Sequence, residues 1–143
     1  MESRANATWE GDLMTGKGRT STGGGLLKDA PLSWKARTEG APGSTSPEEL
    51  IAAAHASCFS MALSHGLAQA GNKATKLETS CVVTFGPKQG GGFEIKSSKL
   101  TVKGWVPGID EAKFRAAAET AKTGCPVSGA LKIPMSVEAT LQK

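Results

Sequence analysis

The sequence predicts an α+β domain, in which strands and helices occupy separate stretches of the chain. Three observations predict it. An alanine-rich stretch over residues 46–71 has the start and stop signals of one long helix, and β-branched segments joined by glycine-rich turns lie on either side of it. The order is about three strands, the long helix, two strands, helices and a strand, which does not alternate as a parallel sheet requires. A length of 143 residues fits one domain, residues 1–143.

Three strands are predicted before the long helix. Residues 4–10 and Lys17–Thr22 are separated by glycine-containing turns and can pair as a hairpin. Residues 32–39, LSWKARTE, alternate between an apolar and a polar face, which predicts a half-buried strand. On that strand Arg37 would lie on the face opposite Trp34.

The long helix begins at a capping box and ends at a glycine. Ser46 can cap the first turn, Pro47 fits the first helical position, and Glu49 follows Ser46 by three residues. Gly71 is a plausible stop. Residues 50–70 carry no charge if the histidines are neutral, and a helix that is apolar on all sides is expected to be buried on all sides. Its alanines, serines and histidines suit burial in protein better than in lipid.

The second half of the chain predicts a hairpin, two helices and a last strand. The predicted elements are a strand over 78–85, its partner over 93–105, helices over 111–123 and 127–132, and a strand over 135–141. Asp110 caps the first of these helices. Cys125 stands between Gly124 and Pro126, where one helix stops and the next begins, and is therefore predicted at an N-cap.

Composition argues against several classes of function. The net charge is +4, but the 17 basic residues are spread along the chain and tyrosine is absent, so nucleic-acid binding is not expected. The first residues contain no apolar segment typical of a secretory signal. Three cysteines are an odd count, which argues against a secreted disulfide framework. We expect a soluble cytoplasmic protein that binds neither nucleic acid nor membrane.

Two of the cysteines are candidates for thiol chemistry. A thiol at a helix N-terminus, as predicted for Cys125, has its thiolate stabilised by free backbone N–H groups. Cys58 lies in mid-helix, where the dipole does not help, and a cysteine in an alanine-rich helix is more often a packing residue. Together Cys58 and Cys125 suggest a two-cysteine redox cycle, although the sequence does not show that they meet. Cys81, in a strand, is predicted to be inert.

Three further residues are candidates for activating a thiol. Arg37 is the best candidate cation, and Glu48 can orient an arginine, although it also compensates the helix N-terminus. His55 precedes Cys58 by three residues, which is either a Cys/His nucleophile arrangement or a core histidine with satisfied hydrogen bonds. The histidines and cysteines lack ligand spacing, so no metal is expected.

The spacing along the long helix favours a dimer. Glu48 and Cys58 are separated by about 15 Å on one helix, since each residue rises about 1.5 Å. An arginine paired with Glu48 would not also reach Cys58 of the same helix. If Arg37, Glu48 and Cys58 form one site, a second copy of the helix is expected to complete it, with two equal sites in a two-fold dimer.

Several motifs together resemble the OsmC proteins, relatives of the organic hydroperoxide resistance (Ohr) proteins. They cover nearly the whole chain in the family's order. They are WEGD at 9–12, GKG at 16–18, PEELIAAAHASCFSMALS at 47–64, VPGID at 106–110 and AKTGCPVSGALK at 121–132.

The resemblance implies a thiol peroxidase that reduces organic hydroperoxides, and hydrogen peroxide less well. It implies that Cys58 is the peroxidatic cysteine, Cys125 the resolving cysteine, Arg37 the catalytic arginine and Glu48 the site glutamate; His55 is not implied as essential. The implied fold is an intertwined homodimer with antiparallel sheets wrapped around long central helices and sites at the dimer interface. The implied reductant is a dithiol such as a lipoylated protein, with no cofactor. The alternatives are a non-catalytic thiol redox sensor and a Cys/His hydrolase.

Overall fold

Six strands and four helices follow each other in the order that the sequence predicts, except for one additional short helix before the long one. The structure, a computed structural model, describes all residues from Met1 to Lys143. The elements are β1 (Ala5–Glu10), β2 (Lys17–Thr22), β3 (Ala30–Ser33), α1 (Trp34–Glu39), α2 (Pro47–Gln69), β4 (Lys76–Pro87), β5 (Phe93–Trp105), α3 (Glu111–Gly124), α4 (Pro126–Ala130) and β6 (Met135–Gln142). The α+β class is confirmed. The chain divides into two units, Met1–Leu50 and Ile51–Lys143.

The first unit is a three-stranded antiparallel sheet with little interior of its own. The strand order is β1-β2-β3, and Trp9 lies opposite Gly18. A Cβ atom at Gly18 would lie 2.7 Å from a ring carbon of Trp9, so the missing side chain is what lets the indole lie against the strand. Ala36 is the only buried hydrophobic residue of this unit, whereas Trp9 and Leu13 are 43% and 53% exposed.

Residues 34–39 form a helix, so the predicted strand over 32–39 is wrong beyond Ser33. The Ser33 hydroxyl accepts a hydrogen bond of 3.0 Å from the Ala36 N–H and caps the turn, while Gly40 ends it with a φ of 75°. Six residues are too few for the alternating pattern to distinguish a strand from a short capped helix. Arg37 is therefore positioned by α1 and not by a strand.

The second unit contains a mixed sheet and the hydrophobic core. β4 and β5 form the predicted antiparallel hairpin, and β6 pairs with β5 in parallel. The parallel pairing needs a crossover, which α3 and α4 provide. The core consists of side chains from α2, β5, α3 and the segments that follow β5 and α3. These are Phe59, Leu63, Leu67, Leu100, Val102, Val106, Phe114, Ala118, Ala121 and Cys125.

Helix α2 buries one face in the core and leaves the other uncovered. His55, Phe59, Leu63 and Leu67, spaced by four residues, are at most 1% exposed. The opposite face is exposed, and its Met61 is 67% exposed. The expectation that α2 is buried on all sides is thus wrong for a single chain, because one layer of sheet and helix covers only one side. By length and a mean hydropathy of 1.3 the helix would also pass as a membrane span, but its buried face belongs to the core.

Candidate active site

The second unit brings the two candidate cysteines together. Cys58 lies on the fourth turn of α2, and Cys125 lies at the junction where α3 ends and α4 begins. Their thiol groups are close enough for each to shift the pKa of the other, and both cysteines are free. Cys125 is 1% exposed, whereas Cys58 is partly exposed. The sequence alone did not show whether Cys58 and Cys125 lie close together, and in the folded chain they do.

The junction at Cys125 also points backbone N–H groups at the sulfur atoms. Pro126 begins α4, and the backbone of Cys125 is extended, with φ of −68° and ψ of 126°. This geometry leaves the N–H group of Val127 free to donate to both thiols and that of Ser128 free to donate to Cys125. Cys125 is therefore at the predicted N-cap.

Within this unit the pKa values of the two thiols are shifted in opposite directions. Burial raises the pKa of Cys58 above its ordinary value of 9.0, and the interaction with the Cys125 thiol adds to the effect. Burial also opposes ionisation of Cys125, but hydrogen bonds from Cys58, from the N–H and hydroxyl of Ser128 and from the Val127 N–H hold its pKa below 9.0. Within this unit Cys125 thus ionises more readily than Cys58. A positive group from outside the unit would be required to stabilise the Cys58 thiolate.

The first unit holds a guanidinium clamped by a carboxylate. Arg37 Nε donates to the two carboxylate oxygens of Glu48 at 3.0 and 3.2 Å, and Arg37 Nη2 donates to Oε1 at 2.8 Å. The Glu48 side chain is 7% exposed and that of Arg37 is 31% exposed. This bidentate arrangement fixes the plane of the guanidinium. The structure brings Arg37 and Glu48 together as the activator hypothesis requires.

An apolar cavity of about 300 Å³ opens beside this arginine in the same unit. Two indole rings and aliphatic side chains form its wall, and the guanidinium is its charged member. The lining residues are Trp9, Leu13, Leu32, Ser33, Trp34, Arg37 and Pro47. A cavity of this kind accommodates a small apolar molecule with one polar end.

His55 is a core histidine with both ring nitrogens satisfied. It is fully buried, its Nδ1 lies 2.7 Å from Ser98 Oγ, and its Nε2 lies 2.8 Å from Ser128 Oγ. Burial lowers its pKa below 6.5 and keeps the ring neutral. The nitrogens bind two serines and not Cys58, so the Cys/His arrangement proposed for a hydrolase is not formed.

Sequence reasoning missed these two serines. Ser98 shares the buried face of β5 with Leu100 and Val102, and a polar residue in such a row is the signal that could have found it. Ser128 follows Cys125 by three residues at the start of α4, the spacing at which a helix side chain turns back towards the cap.

Comparison with known proteins gives consistent matches over most of the chain. The family model of OsmC-like proteins matches residues 39–140. The chain is 44% identical over 139 residues to peroxiredoxin OsmC of Escherichia coli (strain K12), which covers 97% of this chain and 96% of that protein. It is 34% identical over 119 residues to the organic hydroperoxide resistance protein of Xanthomonas axonopodis pv. citri (strain 306), covering 79% of this chain and 78% of that one.

A solved structure of an organic hydroperoxide resistance protein has a similar fold. The crystal structure of the organic hydroperoxide resistance protein OhrB of Bacillus subtilis superimposes with a TM-score of 0.70 at 25% identity. The match covers 97% of this chain and 98% of that chain.

Proposed function

Because this chain belongs to the OsmC-like family, we propose that it is a thiol peroxidase that reduces organic hydroperoxides, and hydrogen peroxide less well. The observation that carries the proposal is the pair of neighbouring free thiols, Cys58 and Cys125. Two neighbouring free thiols are the pair that a disulfide-forming cycle requires. A second thiol beside the first also favours a catalytic cycle, because it can reduce the sulfenic acid that a single cysteine would retain.

The proposed reaction has three balanced steps. The Cys58 thiolate attacks one peroxide oxygen, the O–O bond breaks, and the product oxygen leaves with a proton as an alcohol, which makes Cys58 a sulfenic acid. Cys125 then attacks the Cys58 sulfur, forms the S–S bond and releases the hydroxyl group as water. A dithiol reductant, such as a lipoylated protein, reopens the disulfide by exchange and is itself oxidised. No cofactor or metal is required.

Arg37 supplies the cation that Cys58 lacks in its own unit. The guanidinium lowers the cost of ionising Cys58 and can hold the peroxide, while Glu48 fixes its orientation. Since Glu48 and Cys58 lie on one unbroken helix, the helical rise separates them by about 15 Å. The Arg37 that serves a given Cys58 is therefore proposed to come from the second subunit of a homodimer.

Two exposed apolar surfaces support the homodimer. One is the uncovered face of α2, formed mainly by small residues and Met61. The other is on the first unit. Trp9 and Leu13 are exposed there because a unit of 50 residues has too little interior to bury them. An intertwined dimer, with sheets wrapped around the long helices, would cover both. We expect this dimer to be soluble and cytoplasmic.

The cavity beside Arg37 supports an organic substrate. Its indole and aliphatic walls favour an alkyl or aryl hydroperoxide over hydrogen peroxide, which gains nothing from apolar contact. The Arg37 guanidinium, which lines this cavity, would bind the peroxide oxygens.

The test is turnover of cumene hydroperoxide with dihydrolipoamide as reductant. The unchanged chain should consume peroxide over many turnovers, and Cys58→Ser should abolish consumption. Cys125→Ser should allow one turnover and then over-oxidation of Cys58, seen as a sulfinic acid by mass spectrometry. A disulfide that forms without turnover would identify a redox sensor instead, and undiminished turnover by Cys58→Ser would refute the assignment.

A further inference from the structure

A buried row of side chains connects Cys125 to the third cysteine, which the proposed reaction does not use. Ser128 follows Cys125, the N-cap of α4, by three residues and lowers the pKa of its thiol, and Ser128 Oγ lies 2.8 Å from His55 Nε2. Beyond the ring, His55 Nδ1 lies 2.7 Å from Ser98 Oγ, which lies 3.1 Å from Cys81 Sγ. We call these five residues, Cys125, Ser128, His55, Ser98 and Cys81, the relay.

The relay has only two self-consistent arrangements of protons. Each serine hydroxyl has one proton, and the neutral imidazole has one N–H. If His55 donates from Nε2 to Ser128, the Ser128 proton is free to point at the Cys125 sulfur, and Nδ1 must accept from Ser98. In the reverse arrangement Ser128 donates to Nε2 and can only accept from Cys125, which must then be a protonated thiol.

The two arrangements differ also at the far end of the relay, where Ser98 Oγ lies 3.1 Å from Cys81 Sγ. In the first, the Ser98 oxygen is free to accept from the thiol proton of Cys81. In the second, His55 Nδ1 donates to Ser98, whose own proton then points at the Cys81 sulfur. A Cys81 that keeps its proton can donate to Ser98 in the first arrangement, in which Ser128 donates to Cys125.

We propose that His55 is a positioning residue for the resolving step, holding the Ser128 hydroxyl so that it donates to Cys125 and keeps this sulfur ready to attack Cys58. The inference rests on the proposed two-cysteine reaction and deepens it. In the step itself the Cys125 thiolate forms the S–S bond, the S–O bond of the Cys58 sulfenic acid breaks, and hydroxide leaves to solvent. The Ser128 donor stabilises the thiolate until the bond forms.

The acidities of the three titratable members agree with the first arrangement. Burial lowers the pKa of His55, so the ring stays neutral and keeps one donor and one acceptor. Burial raises the pKa of the Cys81 thiol, which keeps its proton. The pKa of Cys125 is held below its ordinary value despite burial, with the Ser128 hydroxyl among the causes.

A matched pair of substitutions at His55 separates the donor to Ser128 from the bulk of the ring. In His55→Gln the amide nitrogen can stand where Nε2 stands and still donate to Ser128. In His55→Asn the shorter side chain reaches only the Ser98 end. Ser128→Ala removes the hydroxyl itself, and Ser128→Thr retains it.

The readout is the rate of each step in a stopped-flow single turnover with cumene hydroperoxide. His55→Asn and Ser128→Ala should slow the peroxide-independent disulfide phase about tenfold, the effect of losing one hydrogen bond to a charged group. The peroxide-dependent phase should stay within about twofold, a difference too small for a lost hydrogen bond. His55→Gln and Ser128→Thr should restore most of the disulfide rate. Equal slowing of both phases, or no slowing, would overturn the proposal.

A second measurement does not depend on peroxidase activity. In the Cys58→Ser, Cys81→Ser background, the absorbance of the Cys125 thiolate near 240 nm can be titrated with pH. Adding His55→Asn or Ser128→Ala should move this titration to higher pH, and His55→Gln should move it back. An unmoved titration would refute the role of His55. Failure of the unchanged chain to form any disulfide phase would instead refute the two-cysteine reaction, while the titration still decides the role of His55.

Discussion

Replacing Glu48 by glutamine removes the carboxylate that orients Arg37 and leaves the size of the side chain unchanged. In the structure three hydrogen bonds join the two groups, and the Glu48 side chain is 7% exposed. Glutamine keeps one acceptor, but its amide group faces an N–H donor of Arg37. The guanidinium then loses both its charge partner and its fixed plane.

The size of the effect follows from this geometry. A hydrogen bond to a charged group contributes about 1.5–3 kcal/mol, and the partial exposure of Arg37 places the loss near the lower end. A loss of about 1.5–2 kcal/mol in transition-state stabilisation corresponds to a fall of roughly 10- to 30-fold in kcat/KM. We expect that fall for Glu48→Gln in the reduction of cumene hydroperoxide.

Glu49→Gln is the matched control. Glu49 stands next to Glu48 in the first turn of α2, but its carboxylate accepts a hydrogen bond of 2.7 Å from the Thr45 hydroxyl and is exposed. The control makes the same change in net charge and in the charge near the helix N-terminus. It should retain full activity. If Glu48→Gln is as active as Glu49→Gln, the reasoning about Arg37 is refuted.

Three further predictions test the core, the buried histidine and the dimer. Gly104→Ala puts a Cβ 2.3 Å from a ring carbon of Phe114 and should cost about 1–3 kcal/mol in urea unfolding, whereas Gly66→Ala, with open space around it, should not; equal stabilities would contradict the packing. Because burial lowers the pKa of His55 below 6.5, its stabilising contribution is intact above that pH and is lost as the pH falls below it, so His55→Gln should flatten the acid limb of the stability profile; an unchanged limb would contradict this. Met61→Glu, on the exposed face of α2, should yield monomers in light scattering and abolish turnover, and an active dimer would contradict the proposed interface.

The long helix and the two hairpins could be predicted from the sequence because their signals are local. The capping box at Ser46 and the β-branched pair of strands each specify an element without help from the rest of the chain. The helix after Ser33 could not be predicted from local signals of this kind. Its alternating pattern fits a strand, and only the Ser33 cap and Gly40, which act at its two ends, make it a helix.

The candidate site was predictable in its members and not in its contacts. A cysteine at an N-cap and a cysteine on an apolar helix are visible in the sequence, but their meeting depends on how α2 packs against the junction of α3 and α4. The relay could not be predicted from the sequence for the same reason. Ser98, His55 and Ser128 come from three different elements, and only the packing of the second unit brings their hydroxyl and imidazole groups within hydrogen-bond distance.

The most direct test of the two-cysteine mechanism is the mass of the protein after one equivalent of cumene hydroperoxide, followed by peptide mapping under non-reducing conditions. The proposed reaction predicts a loss of two hydrogens and a single cross-linked peptide that joins Cys58 to Cys125, with Cys81 recovered as a free thiol. A cross-link that includes Cys81, or stable oxygen addition at Cys58 with Cys125 still reduced, would contradict it.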